Sequence, residues 1–157
     1  MVLLGFATFA IFAMPMNRTA PNILIKDLHG QSFNLANFDI PDKLIISFAG
    51  TWCTPCLEEI AEFSRLKEKE PKIEIILIFL DEDVAKIAAF QAEHKIPFLI
   101  LHDAYKAAAR RYEIAKGGEA RLPATFVLDK KKKVVFQTNG FTTESLSRLK
   151  TVLGVKE

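Results

Sequence analysis

Residues 48–59 read FAGTWCTPCLEE, and this stretch holds both cysteines of the chain together with its single tryptophan. Two cysteines with two residues between them admit three uses: metal binding, a covalent staple or redox chemistry. A structural zinc site takes about four ligands. No third cysteine exists, and His29, His94 and His102 lie on separate segments without ligand spacing, so no metal site is expected. A bridge between residues this close closes a very small loop and removes little entropy from the unfolded chain. Redox chemistry remains.

The flanks say where the pair sits. KLIISFAG (43–50) is a short apolar, β-branched run bounded by Asp42 and Gly50, which reads as a buried strand. From Cys53 to about Lys69, the apolar positions Leu57, Ile60, Phe63 and Leu66 follow helical spacing until Pro71 ends the element. Cys53 therefore falls where a strand hands over to a helix. Unpaired amides and the helix dipole favour an anion there, which lowers a thiol pKa. Pro55 suits the first helical turn, where a missing N–H costs nothing. Cys53 is expected to be the exposed nucleophile. Cys56, further into the helix and more buried, is expected to resolve the mixed disulfide that Cys53 forms.

The rest of the chain alternates. ILIKDLHGQSFNL (23–35) reads as a hairpin turning at His29–Gly30. Residues 73–80, 97–101, 124–129 and 133–138 read as strands, and 81–94, 103–112 and 143–153 as helices. KGGEARLP (116–123) reads as a glycine loop, and Lys130–Lys133 as a solvated turn. This order implies an α/β domain: a central mixed sheet with a parallel centre, helices on both faces and an N-terminal β-hairpin.

The 157 residues suffice for one ordinary domain. A formal net charge of +2 supplies no broad basic field, so no nucleic-acid partner is expected. The thirteen phenylalanines sit mostly in apolar runs and read as core. Residues 2–16 carry no charge. A helix of that length spans about 22 Å, short of a ~30 Å hydrocarbon core. The run reads either as a signal peptide or membrane anchor, or as a buried first element of the domain. The first reading is preferred: residues 1–19 as leader or anchor plus linker, with membrane contact through 2–16, and residues 20–157 as the domain.

Trp-Cys-x-Pro-Cys at a strand-to-helix junction, followed by RLPATFVLD, resembles the thioredoxin superfamily. APNILIKDLHGQSFNL, FAGTWCTPCLEE and the additional strand and helix over 73–94 resemble its TlpA/ResA-like branch of exported thiol-disulfide oxidoreductases, over roughly residues 20–153. The resemblance implies a thioredoxin-like fold and a disulfide reductase whose only redox group is the Cys53–Cys56 disulfide, with no other cofactor. It implies that Pro123 is a cis-proline opposite the cysteines; the other reading is a proline that begins a strand. Trp52, Thr54, Pro55, Leu122 and Pro123 are the implied substrate-binding residues. In that branch a glutamate three residues past the second cysteine handles protons. Glu59 holds that place and shares a helix face with Cys56, where burial would raise its pKa into the range of a general base. The competing reading is an exposed helix charge; neighbouring Glu58 is expected to be solvated.

Thioredoxins themselves place a buried Asp six residues before the first cysteine; Ser47 stands there and cannot serve as the base. Ala49 replaces a usual aromatic, and Ala61 a proline that often kinks this helix. The implied partners are disulfides of exported proteins, apocytochrome c among them, and an upstream donor such as a membrane thiol reductase. The implied location is periplasmic or otherwise extracytoplasmic, at the inner membrane. Two other classes compete: a thiol peroxidase on a peroxiredoxin-like scaffold, and a non-catalytic thioredoxin-fold interaction module. The first usually needs a distant resolving cysteine, which the chain lacks. Retention of Cys53, Cys56, Trp52 and Pro123 argues against the second.

Overall fold

A computed structural model describes residues 15–156 of the chain. The N-terminal hairpin forms from β1 (Leu24–Asp27) and β2 (Ser32–Asn34). Gly30 turns it with φ +80°, a left-handed value that only glycine takes without steric cost. The Asp27 carboxylate accepts from the N–H groups of His29 and Gln31 and fixes the same turn. The chain continues through β3 (Lys43–Ala49), α1 (Thr54–Lys69), β4 (Ile73–Phe79), α2 (Val84–Glu93), β5 (Leu99–His102) and α3 (Ala107–Arg111). It ends with β6 (Ala115–Lys116), β7 (Glu119–Ala120), β8 (Ala124–Leu128), β9 (Val134–Asn139) and α4 (Thr143–Leu153).

Seven strands make one mixed sheet in the order β2-β1-β5-β4-β3-β8-β9. The helical crossovers α1 and α2 return the chain to the same edge, so β3, β4 and β5 run parallel. β8 lies antiparallel to β3, β9 to β8, and β1 to β5. The central strands are buried on both faces, and alternate residues serve different layers. Leu44, Ile46 and Phe48 join one core with Ala108, Ala109 and Tyr112, on the α3 side. Ile45 and Ala49 join the other, where α1, α2 and α4 contribute Phe63, Ile87 and Leu149. This is the expected central sheet with helices on both faces. In the first core, Tyr112 packs 5.3 Å from Phe48 and 5.0 Å from Phe126 between ring centroids, and its hydroxyl donates to the Pro21 carbonyl.

Three elements differ from the sequence expectation, each for a local reason. The helix expected over 81–94 starts at Val84, because Asp83 caps it by accepting from the Ala85 N–H. The helix expected over 103–112 shrinks to Ala107–Arg111. Asp103 is buried and accepts from the N–H groups of Ala107 and Ala109, while Lys106 takes a left-handed conformation ahead of the helix. The loop expected over 116–123 contains a small hairpin, β6 with β7.

At the N-terminal end, the Asn17 N–H donates to the Val134 carbonyl and the Val134 N–H to the Arg18 carbonyl. Residues 17–20 thereby run along the turn between β8 and β9. The leader or anchor expected in residues 1–19 falls mostly on 1–14, which lie outside the described residues. Among the described residues, no helix is long and apolar enough to cross a membrane.

Candidate active site

β3 is buried from Leu44 to its end at Ala49, which aims the next four residues at the start of α1. Gly50 is required in that turn. A Cβ there would sit 2.8 Å from the Trp52 indole, closer than real contacts allow, so glycine lets the ring fold back over the backbone. Trp52 remains 60% exposed beside the cysteines. Cys53 is the N-cap of α1 rather than its first residue, and its sulfur accepts from the Cys56 N–H at 3.3 Å. Thr54 and Pro55 occupy the first turn and are exposed. Cys53 and Cys56 form a disulfide with Cα atoms 5.3 Å apart. Of the two, Cys53 is the more accessible, 9% against 1%.

Glu59, one turn beyond Cys56, is buried, whereas Glu58 is exposed as expected. Its carboxylate is held by two hydroxyls: Ser47 Oγ donates to Oε2 at 2.7 Å and Thr125 Oγ1 to Oε1 at 2.6 Å. Desolvation raises its pKa from the ordinary 4.5 to about 7, against the smaller lowering effect of the Thr125 and Ser47 hydrogen bonds. A carboxyl poised there exchanges a proton readily at neutral pH.

The Leu122–Pro123 peptide bond is cis. Phe48 pairs with Ala124, so the chain entering β8 through Pro123 lies beside the segment leaving β3 for Cys53. Pro123 is buried and Leu122 half-buried, packed against the apolar cluster that contains both cysteines. The sequence-derived site residues thus converge on one end of the sheet. Among the described residues, no group of three or more His, Cys, Asp or Glu side chains is arranged to hold a metal ion.

Comparison with known proteins agrees with this geometry. The Redoxin family model matches residues 15–153. The thiol-disulfide oxidoreductase ResA of Bacillus anthracis is 32% identical over 134 residues, covering 83% of this chain and 73% of that protein. ResA of Bacillus subtilis is 26% identical over 151 residues, covering 91% and 80%. The chain belongs to the Redoxin family, among the ResA-like thiol-disulfide oxidoreductases. The fold recurs in a crystal structure of a candidate thiol:disulfide interchange protein DsbE from Chlorobium tepidum. That likeness has a TM-score of 0.78 and 19% identity over 90% of this chain and 96% of the other. The fold is therefore thioredoxin-like.

Two residues of this Redoxin-family site escape a reading of the sequence, and a third is visible there only as a departure. Thr125 holds Glu59 across 66 positions of chain, and nothing local marks it beyond its place two residues after Pro123. Ser47 shows in the sequence as a missing acid; in the fold it is the second donor to the acid that replaces it. Asp81, buried at the end of β4, accepts from both the N–H and the hydroxyl of Thr51 and so anchors the turn before Trp52 and Cys53. Its backbone carbonyl is in turn 2.8 Å from His102 Nε2. The signal that could have found Asp81 is positional, an acid at the C-terminal end of a buried parallel strand beside the active-site strand.

Proposed function

We propose that the protein is a reductant of protein disulfides, with Cys53 as nucleophile, Cys56 as resolving cysteine and Glu59 as the proton acceptor for Cys56. The observation that carries this reading is the asymmetry of the pair. The more accessible sulfur caps a helix and receives an amide hydrogen bond, while the less accessible one is a turn from a buried carboxyl poised near neutrality.

The cycle balances as follows. In the reduced protein the Cys53 thiolate attacks a substrate disulfide, forming a mixed disulfide and releasing one substrate thiolate, which takes a proton from solvent. The Cys56 thiol gives its proton to Glu59, and its sulfur attacks Cys53. The mixed bond breaks and the second substrate thiolate leaves and is protonated. Two electrons pass to the substrate and the protein is left as the Cys53–Cys56 disulfide, the state described here. An upstream dithiol must reduce it again. Trp52, Thr54, Pro55 and Leu122 are positioned to border the substrate, and Pro123 shapes the wall beside Cys53.

The substrates we favour are exported proteins, with apocytochrome c as one, and the donor a membrane thiol reductase. The uncharged run over residues 2–16 supports an extracytoplasmic location and attachment to the inner membrane. The experiment is substrate trapping. Cys56→Ser, expressed in the native host, is expected to retain disulfide-linked exported proteins through Cys53, apocytochrome c among them. Capture restricted to cytoplasmic proteins would overturn the substrate class and location together.

A further inference from the structure

Ser47, Glu59 and Thr125 form a closed triangle of oxygens inside the core. Each is buried, with exposures of 0%, 1% and 0%. Three contacts join them: Ser47 to Glu59 at 2.7 Å, Thr125 to Glu59 at 2.6 Å, and Thr125 to Ser47 at 3.2 Å. Each hydroxyl has one hydrogen to donate and lone pairs to accept with. When Glu59 is ionised, both hydroxyls donate to it, one to each carboxylate oxygen. When Glu59 is protonated, its own hydrogen goes to Thr125 Oγ1, the Thr125 hydrogen turns to Ser47 Oγ, and the Ser47 hydrogen stays on the other carboxyl oxygen. The ionised state uses the two contacts to Glu59, and the neutral state uses all three. Only the Thr125 hydroxyl hydrogen changes direction.

A buried carboxyl normally favours one protonation state, because the other leaves a polar atom without a partner at a cost of about 1–3 kcal/mol. We propose that Ser47 and Thr125 are positioning residues that keep Glu59 reversibly titratable, by satisfying its charged and neutral forms alike with no heavy-atom movement. The proposal rests on the reading of Glu59 as proton acceptor for Cys56 and adds how a carboxyl so deeply buried can still give its proton back.

The surroundings leave few other groups to set this titration. On the sheet face beneath Glu59, β3 presents Ile45 and Ala49, β4 presents Leu77 and β8 presents Val127, none of them ionisable. Along α1, Glu58 is exposed and Glu62 pairs with Arg65 at the surface. Asp81 is occupied by Thr51. The remaining titratable groups of this cluster are Cys53 and Cys56, and the disulfide removes both from titration.

The oxidised protein therefore isolates Glu59. Its side-chain carboxyl is followed by 13C NMR across pH in wild type, Thr125→Val, Thr125→Ser and Ser47→Ala. Valine keeps the shape of threonine and removes the hydroxyl. Hydrogen bonds to a charged group outweigh those to a neutral one, so losing either donor is expected to raise the midpoint by about one pH unit. Thr125→Ser is expected to return it to the wild-type value, which a packing role alone would not require. Midpoints in both Thr125→Val and Ser47→Ala that match wild type would overturn the proposal; if Thr125→Val does not fold, Ser47→Ala decides. The pH profile of disulfide exchange by the reduced variants is recorded alongside. A carboxyl midpoint that moves while the exchange profile does not would uphold the role of the hydroxyls and overturn the part assigned to Glu59 in exchange.

Discussion

Burial of Glu59 has a consequence for stability that Glu59→Gln exposes. The carboxyl titrates at about 7 in the folded protein against 4.5 without burial, so the folded state holds this proton more tightly than the unfolded one. Below pH 4.5 the group is protonated in both states and its contribution to stability is complete. Between 4.5 and about 7 the unfolded chain releases the proton and the folded chain keeps it, so stability falls as pH rises. Above about 7 both states are ionised and the loss stops growing. At about 1.4 kcal/mol per pH unit, the rise from 4.5 to about 7 corresponds to about 3 kcal/mol. Glutamine keeps the shape of the protonated acid, with an acceptor oxygen and an NH2 donor in place of the O–H, and cannot ionise. The difference in unfolding free energy between Glu59→Gln and wild type is thus expected to shift by about 3 kcal/mol in favour of the variant between pH 4.5 and pH 8. Guanidinium unfolding of the oxidised proteins measures it, since every other group titrates alike in both. A difference that stays flat across this range would refute the assignment of a raised, buried carboxyl.

Three further outcomes are expected. In stopped-flow exchange with a disulfide-bonded protein, Glu59→Gln should slow resolution of the mixed disulfide and remove the dependence of that step on a group titrating near 7. Asp81→Ala leaves the Thr51 N–H and hydroxyl without their acceptor, and is expected to cost about 2 kcal/mol by chemical denaturation and to lower the exchange rate. Phe126→Ala removes a ring packed on Phe48 and Tyr112 and is expected to cost about 3–5 kcal/mol in the same assay.

Much of the architecture was written in local signals. The apolar run 43–50, the helix from Cys53 to about Lys69 and the hairpin at His29–Gly30 each depend on residues adjacent in sequence, and each formed close to its expected bounds. The order of strands and helices was enough to imply the parallel centre. Departures arose where a side chain captured backbone amides: Asp103 and Asp83 accept from the N–H groups of Ala107 and Ala85, so α3 and α2 start later than expected. At the site, the cysteines and Glu59 were readable because they lie on one helix. Thr125 and Asp81 reach their partners from 66 and 30 positions away, and only tertiary pairing of β8 and β4 with β3 brings them there. Ser47 was visible as a departure from thioredoxins, but its function as a donor depends on Glu59 being buried above it.

The division of labour between the two sulfurs is tested most directly by intact-mass analysis of single-cysteine variants, reduced and then mixed with oxidised insulin. Cys56→Ser should accumulate an adduct joined to insulin through Cys53, and Cys53→Ser should accumulate none. A stable adduct on Cys56 in the Cys53→Ser protein, with none on Cys53 in its counterpart, would contradict the assignment of nucleophile and resolving thiol.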